Sequence, residues 1–502
     1  MSRYNKLIIL SDSFKNSISS KDIGEIGRKV FSQIFPNLNI ETYRIADGGE
    51  GTVDFFINEL GYEKKYISTE NCFKQKIQTY YGVKKDTAVF DVASCVGFLV
   101  NDHLDLWHAS TYGIGIVLKN IIQEGYKKIY LGLGGSITND GGMGILGAMG
   151  ARFLMNGEEV VPYYDHSIEF DKVDLTTVYN LCKDIQIIGL CDVNNPLLGE
   201  RGATFTYGPQ KGGNLDVLNQ LELWMKKYAL CFNVDSNVPG CGAAGGIGFC
   251  LNILGSKLIS GIQVMLDELK LKEKIDNKTL LITGEGALDA TSFQGKIVGY
   301  LLELTKKHHT DTLVICGINK CSNIKESVYA LHDKPVENYQ ETVFDDVKNT
   351  FQKILKDRIF DFVDLKFVEY NKLMDDLFEL RKEVFVKEQN IPEELEFDQY
   401  DNQAVHIGVY LEDLLIGTIR LIDLGNNLCK IGRFVVKESY RGLGIGKQII
   451  SYVINNTHYK NYVVHAQVDK IKFYEKCGFV ALGNEFIEDG IKHKKMIKTL
   501  DF

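Results

Sequence analysis

Along the first two-thirds of the chain, short apolar runs stand between polar or glycine-rich stretches: Lys6 to Leu10 (KLIIL), Lys128 to Leu133 (KIYLGL), Ile185 to Leu190 (IQIIGL), Thr279 to Thr283 (TLLIT) and Thr312 to Gly317 (TLVICG). Runs this short and unbroken read as strands buried on both faces. Each is followed by a turn and then a helical period, the order of strand-turn-helix units around a parallel sheet. An α/β fold is therefore expected up to about Arg358. From Lys366 the pattern changes to a charged amphipathic helix around Asp375 to Val386 and to alternating, half-buried strands such as His406 to Glu412 (HIGVYLE) and Lys430 to Val436 (KIGRFVV). The change predicts two regions, 1–360 and 365–502, joined by a short connector.

The 502 residues, 45% of them hydrophobic and 25% charged, suffice for several packed cores and argue against disorder. Glycine numbers 48 against 7 prolines, so the flexible positions belong to ordered turns and ligand loops. A net charge of −9 opposes a nucleic-acid or anionic-membrane footprint and points to small-molecule partners. Eleven cysteines without any C-x-x-C pair fit neither a disulfide framework nor a zinc knuckle, which predicts a reducing, cytoplasmic setting. The apolar run Leu7 to Leu10 is too short for a signal-peptide core, and no run of 18 apolar residues predicts a membrane span.

Six clusters before residue 300 pair glycine with a charged or hydroxyl residue just beyond a predicted strand: Asp12 to Ser17, Ala46 to Thr52, Gly132 to Gly142, Cys191 to Gly199, Gly208 to Gly213, and Thr283 to Asp289 with Gln294 to Lys296. Glycine admits backbone N–H groups to an anion, lysine supplies a point charge for phosphate, and a carboxylate holds Mg²⁺ or takes a hydroxyl proton. Phosphoryl transfer needs that inventory. Gly142 to Gly147 matches G-x-G-x-x-G in form, but it starts nine residues past its strand, so these glycines are read as helix packing. Gly295-Lys296 lacks the flanking residues of a P-loop, having Ala290 and Ile297 in their places.

The ordered set DSFKNS, ADGGEGT, GGSITNDGG, CDVNNPLLGERGA, GPQKG, PGCGAAGG and TGEGALD closely resembles the bacterial glycerate kinase family over about residues 4 to 358. The resemblance implies ATP-dependent phosphorylation of D-glycerate by a two-subdomain α/β kinase, one subdomain inserted into the other. Its motifs carry over Lys15, Asp47, Glu50, Ser136, Asn139, Asp140, Asp192, Asn194, Lys211, Glu285, Asp289 and Lys296 as candidate site residues. Asp47 and Asp192 are assigned hydroxyl activation and Mg²⁺ support, with Asp192 as the metal ligand. Lys15 and Lys211 are assigned to phosphate or the glycerate carboxylate, and the Gly134, Gly135 and Ser136 backbone to an anion. The chain departs from the family pattern at Asn16, Ile137 and Thr291, where glycine, alanine and glutamine are usual.

In the second region, the strand Lys430 to Val436 leads into Arg441-Gly442-Leu443-Gly444-Ile445-Gly446, and an amphipathic helix begins at Lys447. A glycine turn at a helix N-terminus suits a pyrophosphate. This R-x-x-G-x-G string, with Phe473 to Phe479 downstream, resembles the GNAT acetyltransferase superfamily over about residues 365 to 502, an α+β fold with a mixed sheet. The resemblance implies acetyl-CoA held by Arg441, Gly442, Gly444, Gly446 and Lys447, pantetheine paired with the Val435 and Val436 backbone, and Tyr474 as the acid that protonates the departing thiolate. It implies a bifunctional enzyme that also acetylates an amine; the alternative is a kinase whose second domain only senses acetyl-CoA. His406 and His465 are read as hydrogen-bonded strand histidines outside the catalytic set, and Cys477 as core.

Overall fold

The computed structural model describes residues 3–500 apart from 15, 16, 46–48, 50, 102, 294, 322, 323, 325, 326, 335–338, 363, 364, 372, 373, 412 and 489. Its N-terminal strands are β1 (Lys6–Leu10), β2 (Asn39–Tyr43), β3 (Glu63–Glu70), β4 (Lys76–Lys84), β5 (Thr87–Asp91), β6 (Lys128–Gly132), β7 (Arg152–Met155), β8 (Glu158–Val160), β9 (Lys172–Asp174), β10 (Gln186–Leu190), β11 (Lys257–Ile259), β12 (Thr279–Leu288), β13 (Asp311–Asn319) and β14 (Ser327–His332). One sheet runs β14-β13-β12-β1-β2 and a second β11-β10-β6-β5-β4-β3, while β8-β7-β9 form a small third. The pairings of β12 with β13, β13 with β14, β10 with β11, β10 with β6 and β5 with β6 are parallel; β3, β4 and β5 are joined antiparallel. Every strand of the second sheet lies in sequence between β2 and β12.

The apolar runs become strands because both of their faces are covered. On one side of the second sheet Phe90, Leu131 and Ile187 join Val117, Ile121 and Phe249 in one core. On its other side Val89, Tyr130 and Ile188 meet Ile8, Leu10, Leu281 and Val314 of the first sheet through Phe56, Met265 and Leu301 of intervening helices. Burial of such side chains stabilises each by ~1.5–3 kcal/mol relative to exposure. Gly144 and Gly147 lie in the helix Met143–Met149, where an added Cβ would sit 2.4 Å from the Tyr112 backbone nitrogen and 2.3 Å from the Tyr163 ring. Their role there is close packing.

The C-terminal strands are β15 (Leu365–Tyr370), β16 (Val405–Leu411), β17 (Leu414–Asp423), β18 (Leu428–Val436), β19 (Asn461–Gln467), β20 (Val480–Glu488) and β21 (Ile491–Thr499), in the order β15-β16-β17-β18-β19-β21-β20. The sheet is mixed: β18 and β19 are parallel, and the other pairings are antiparallel. The expected helix begins at Asp375 but is α-helical only to Arg381, and π-helical from Lys382 to Glu388. Leu7–Arg28 with Ile40–Val347 form one compact unit, and Met1–Lys6, Lys29–Asn39 and Lys348–Phe502 the other. Among the described residues no helix is long and apolar enough to cross a membrane.

Candidate active site

A cavity of about 700 Å³ opens at the carboxyl ends of β1, β6, β10 and β12, where ligands of parallel sheets bind. Its wall is drawn from the segments that follow those strands, Asp12 and Ser13, Gly134 to Ser136, Asp192 and Asp289, and from Glu285 within β12 itself. Lys211 and Lys296 complete the polar lining, and Phe14, Phe98, Ile45 and Ile262 supply an apolar part. The cavity thus gathers eight of the residues singled out from sequence: Gly134, Gly135, Ser136, Asp192, Lys211, Glu285, Asp289 and Lys296.

Lys211 closes a single turn of 3₁₀ helix, Pro209–Lys211, and only 3% of it is exposed. Its Nζ donates to the Thr138 carbonyl oxygen at 2.7 Å and to Ser136 Oγ at 3.4 Å. Burial pushes its ammonium down to about 7 against the opposing charge of Asp140. Lys296 Nζ donates to Glu285 Oε2 at 3.3 Å. Thr291 N and Oγ1 both donate to Asp289 Oδ1, at 2.8 and 2.6 Å, and these bonds lower the Asp289 pKa. The threonine that departs from the family pattern therefore serves as the partner of Asp289.

Three candidates stand outside the cavity lining. Asp140 is fully buried, with both carboxylate oxygens bonded to the chain: Oδ2 accepts from Thr111 N and Oγ1 at 2.8 Å each and from Gly144 N at 3.1 Å, and Oδ1 from Gly142 N at 3.0 Å. Asn139, also buried, donates from Nδ2 to Thr204 Oγ1, and Asn194 is exposed. The family motifs carried these three into the candidate set, and a motif match does not distinguish a side chain turned to ligand from one turned back to knit the turn. Lys15, Asp47 and Glu50 lie outside the described residues. The cavity also contains Ser13, Ser17, Tyr207, Gln210 and His332, which the sequence reading did not single out. The first four flank or fall within motifs, whereas His332, at the end of β14, carried no signal.

Among the described residues no three side chains form a ready-made metal cluster. Mg²⁺ does not require one, since it keeps waters and substrate phosphates and takes one or two carboxylates. Asp192 and Glu285 share the cavity, and Glu285 Oε1 is buried without a hydrogen-bond partner among the described residues. An oxygen in that state fits a cation, so Asp192 and Glu285 are the side chains that would hold Mg²⁺.

In the C-terminal sheet, pairing of β18 with β19 ends at Ile431↔Val464, although β18 runs on to Val436. Arg433, at φ 47°, marks a bulge where the register with β17 shifts, and it bends β18 away from β19. Val435 and Val436 stay paired with Thr418 and Gly417 on their other side, so their remaining edge faces the gap. Gly442 and Gly444 hold φ at 77° and 83°, a backbone that favours glycine, and Gly444 caps the helix Ile445–Asn456. Gly446 lies in the first helical turn against Phe473 and Phe434, and Lys447 is exposed. Arg441 donates from Nε to the Val436 carbonyl at 2.8 Å and from Nη2 to Glu388 at 2.7 Å, which ties the loop to the π-helix. Tyr474 is half-buried between Phe473 and Phe479, and burial raises its pKa. Cys477 is buried.

Residues 7–354 match the model of the glycerate kinase family, and residues 370–500 that of acetyltransferase (GNAT) domains. A glycerate kinase of Bacillus cereus is 33% identical over 346 residues, 66% of this chain and 89% of its own length. The glycerate 2-kinase of Escherichia coli is 33% identical over 323 residues, 62% of this chain and 85% of its own. A crystal structure from Salmonella typhimurium LT2, assigned as glycerate kinase 2, superposes with a TM-score of 0.61 at 26% identity, covering 70% of this chain and 97% of that one.

Proposed function

The chain belongs to the glycerate kinase family over residues 7–354 and carries a GNAT acetyltransferase domain over residues 370–500, and from that premise we propose that it phosphorylates D-glycerate with ATP and transfers an acetyl group from acetyl-CoA to an amine. What supports the first reaction most is the gathering of Ser136, Asp192, Lys211, Glu285 and Lys296 around one cavity. A hydroxyl oxygen of glycerate attacks the γ-phosphorus, the bond from that phosphorus to the bridging oxygen of ADP breaks, and the hydroxyl proton passes to Asp47. Lys211, carrying little hydration of its own, faces phosphate or the glycerate carboxylate, and the backbone of Gly134 to Ser136 faces an anion. Asp192 and Glu285 would hold Mg²⁺, which supplies neutralisation of charge on the phosphates. The 2-kinase activity in the Escherichia coli relative's name supports the 2-hydroxyl as the acceptor.

For the second reaction, the loop at Gly442 to Gly446 binds the pyrophosphate, the β18 edge at Val435 and Val436 that faces away from β17 pairs with pantetheine, and Tyr474 protonates the thiolate. The expected outcome with purified protein, ATP, Mg²⁺ and D-glycerate is a new phosphorus NMR resonance from 2-phosphoglycerate; absence of turnover would overturn the kinase reading. With acetyl-CoA and an amine, release of free CoA is expected. Acetyl-CoA bound but not consumed would instead make this domain a sensor.

A further inference from the structure

The two strands that part beyond Ile431 and Val464 carry different chemistry on their two faces. Tyr462, on β19, bonds from its hydroxyl to Thr457 at the end of the helix Ile445–Asn456, so that helix lies on the Tyr462 face. His465 falls on the opposite face because strand residues alternate, and it is the first residue of β19 beyond the last pair with β18. Its Nδ1 lies 2.7 Å from Glu488 Oε2, and Glu488 Oε1 lies 3.8 Å from the Lys430 ammonium. All three side chains keep about a third of their surface open, at 27%, 36% and 28%. The edge of Phe486 packs on the imidazole, with ring centroids 4.9 Å apart. Two positions on, Gln467 Nε2 donates to Gln389 Oε1 at 3.0 Å, which ties this side of the gap to the end of the π-helix. π-Helical turns are frequent at functional sites.

The tautomer follows from the pair. The His465 hydrogen bond holds the Glu488 carboxyl down to about 2 despite its partial burial, so at neutral pH it is a carboxylate and accepts. Nδ1 is then the protonated nitrogen. Nε2 makes no hydrogen bond among the described residues. A carboxylate that orients an imidazole and supports its positive form is the arrangement of a general base.

We propose that His465, oriented by Glu488, is the proton acceptor for a primary-amine substrate of the C-terminal domain. The proposal rests on the reading of this domain as an acetyltransferase. The neutral amine nitrogen attacks the thioester carbonyl, a C–N bond forms and the C–S bond breaks. The proton lost from nitrogen passes to His465 Nε2, and the CoA thiolate takes a proton from the Tyr474 hydroxyl. The products are the N-acetyl amine and CoA, after which the imidazolium loses its proton and the phenolate regains one through solvent. The charges facing His465 are Glu488 from β20, Lys430 from β18, and Lys495 and His493 from β21.

The test uses the full chain with acetyl-CoA and a panel of primary amines: a diamine, an amino alcohol, an amino sugar and a peptide with a free amino terminus. In His465→Ala, amine-dependent CoA release should fall at least ~100-fold, acetyl-CoA affinity by calorimetry should hold, and imidazole added to the buffer should restore part of the rate. In Glu488→Gln, kcat for amine-dependent CoA release should fall while KM for acetyl-CoA holds, because Nδ1 loses the acceptor that orients the imidazole. Turnover within a few-fold of wild type in His465→Ala overturns the proposal and leaves the acetyltransferase reading standing. Equal loss of acetyl-CoA binding assigns His465 a structural role and also overturns it. A wild-type chain that releases CoA with none of the amines overturns both.

Discussion

Lys211 donates its ammonium to the carbonyl oxygen of Thr138 at 2.7 Å with almost no access to water. A phosphate brought to this nitrogen stabilises its charged form and raises a pKa that burial has brought down to about 7. Binding of ATP near pH 8 should therefore take up protons. Calorimetry in two buffers of different ionisation enthalpy measures the uptake, and Lys211→Met should remove it. If wild type binds ATP with no uptake, Lys211 does not face phosphate. The same depression makes burial of the ammonium most costly below about pH 7, a cost that shrinks as pH rises towards the ordinary lysine value.

Asp47→Asn and Asp192→Asn should each lower kcat for glycerate phosphorylation at least ~100-fold, the usual worth of a proton acceptor or of metal support. Thermal unfolding of both variants should match wild type. Near-native turnover in either removes its assigned role.

Gly444→Glu should abolish acetyl-CoA binding, read by calorimetric titration. The residue holds φ at 83° at the mouth of a helix, where a carboxylate opposes phosphate and a side chain is strained. Unchanged affinity would separate the glycine loop from CoA. A parallel fall in glycerate phosphorylation would mean that the two activities are coupled.

Arg381 is completely buried, donating to Glu396 Oε1 at 2.6 Å and to Asp401 Oδ1 at 2.8 Å, while Arg420 reaches the same Asp401 oxygen at 2.7 Å. Arg381→Ala should cost the C-terminal domain about 3–5 kcal/mol in denaturant melts, because it strands buried carboxylates. Burial alone would raise the Asp401 carboxyl, but the two arginines outweigh it and hold the group down to about 2. Its stabilisation is present above the ordinary aspartate range and fades as pH falls through that range towards 2. An Asp401→Asn chain should be less stable at neutral pH and lose less than wild type on acidification, read as midpoint shifts.

The chain should also divide into two soluble pieces, provided that the cut follows Phe362. Tyr4, Phe31 and Phe35 pack on the Phe362 ring with centroids 5.4–5.6 Å apart, and Ile359 is buried. Ending the first piece at Arg358 should leave that aromatic cluster open and aggregation-prone, which light scattering detects.

Much of this architecture could be read from residue pattern. The five N-terminal apolar runs became β1, β6, β10, β12 and β13 because strands covered on both faces leave an unbroken hydrophobic signature. The hairpin of β3 and β4 leaves no such signature, because Glu63 to Glu70 is half lysine and glutamate and lies at the edge of its sheet. In the C-terminal domain the glycine loop was legible, since φ near 80° demands particular residues. The His465–Glu488 pair was not, because it joins strands that are neighbours only through β21. Spacing along the chain holds no record of that contact.

Asp140 shows what that blindness means for an experimenter. Its four bonds clamp Thr111, which precedes the helix Tyr112–Gln123, to the Gly142 to Gly144 turn that opens the next helix, only two positions from the Thr138 carbonyl that steadies Lys211. A substitution there would loosen the floor beneath the cavity and quench turnover without ever having met a substrate. An alanine scan scored by rate alone would rank Asp140 beside Asp192. Only the soluble yield and the melting profile would tell a keystone from a reagent.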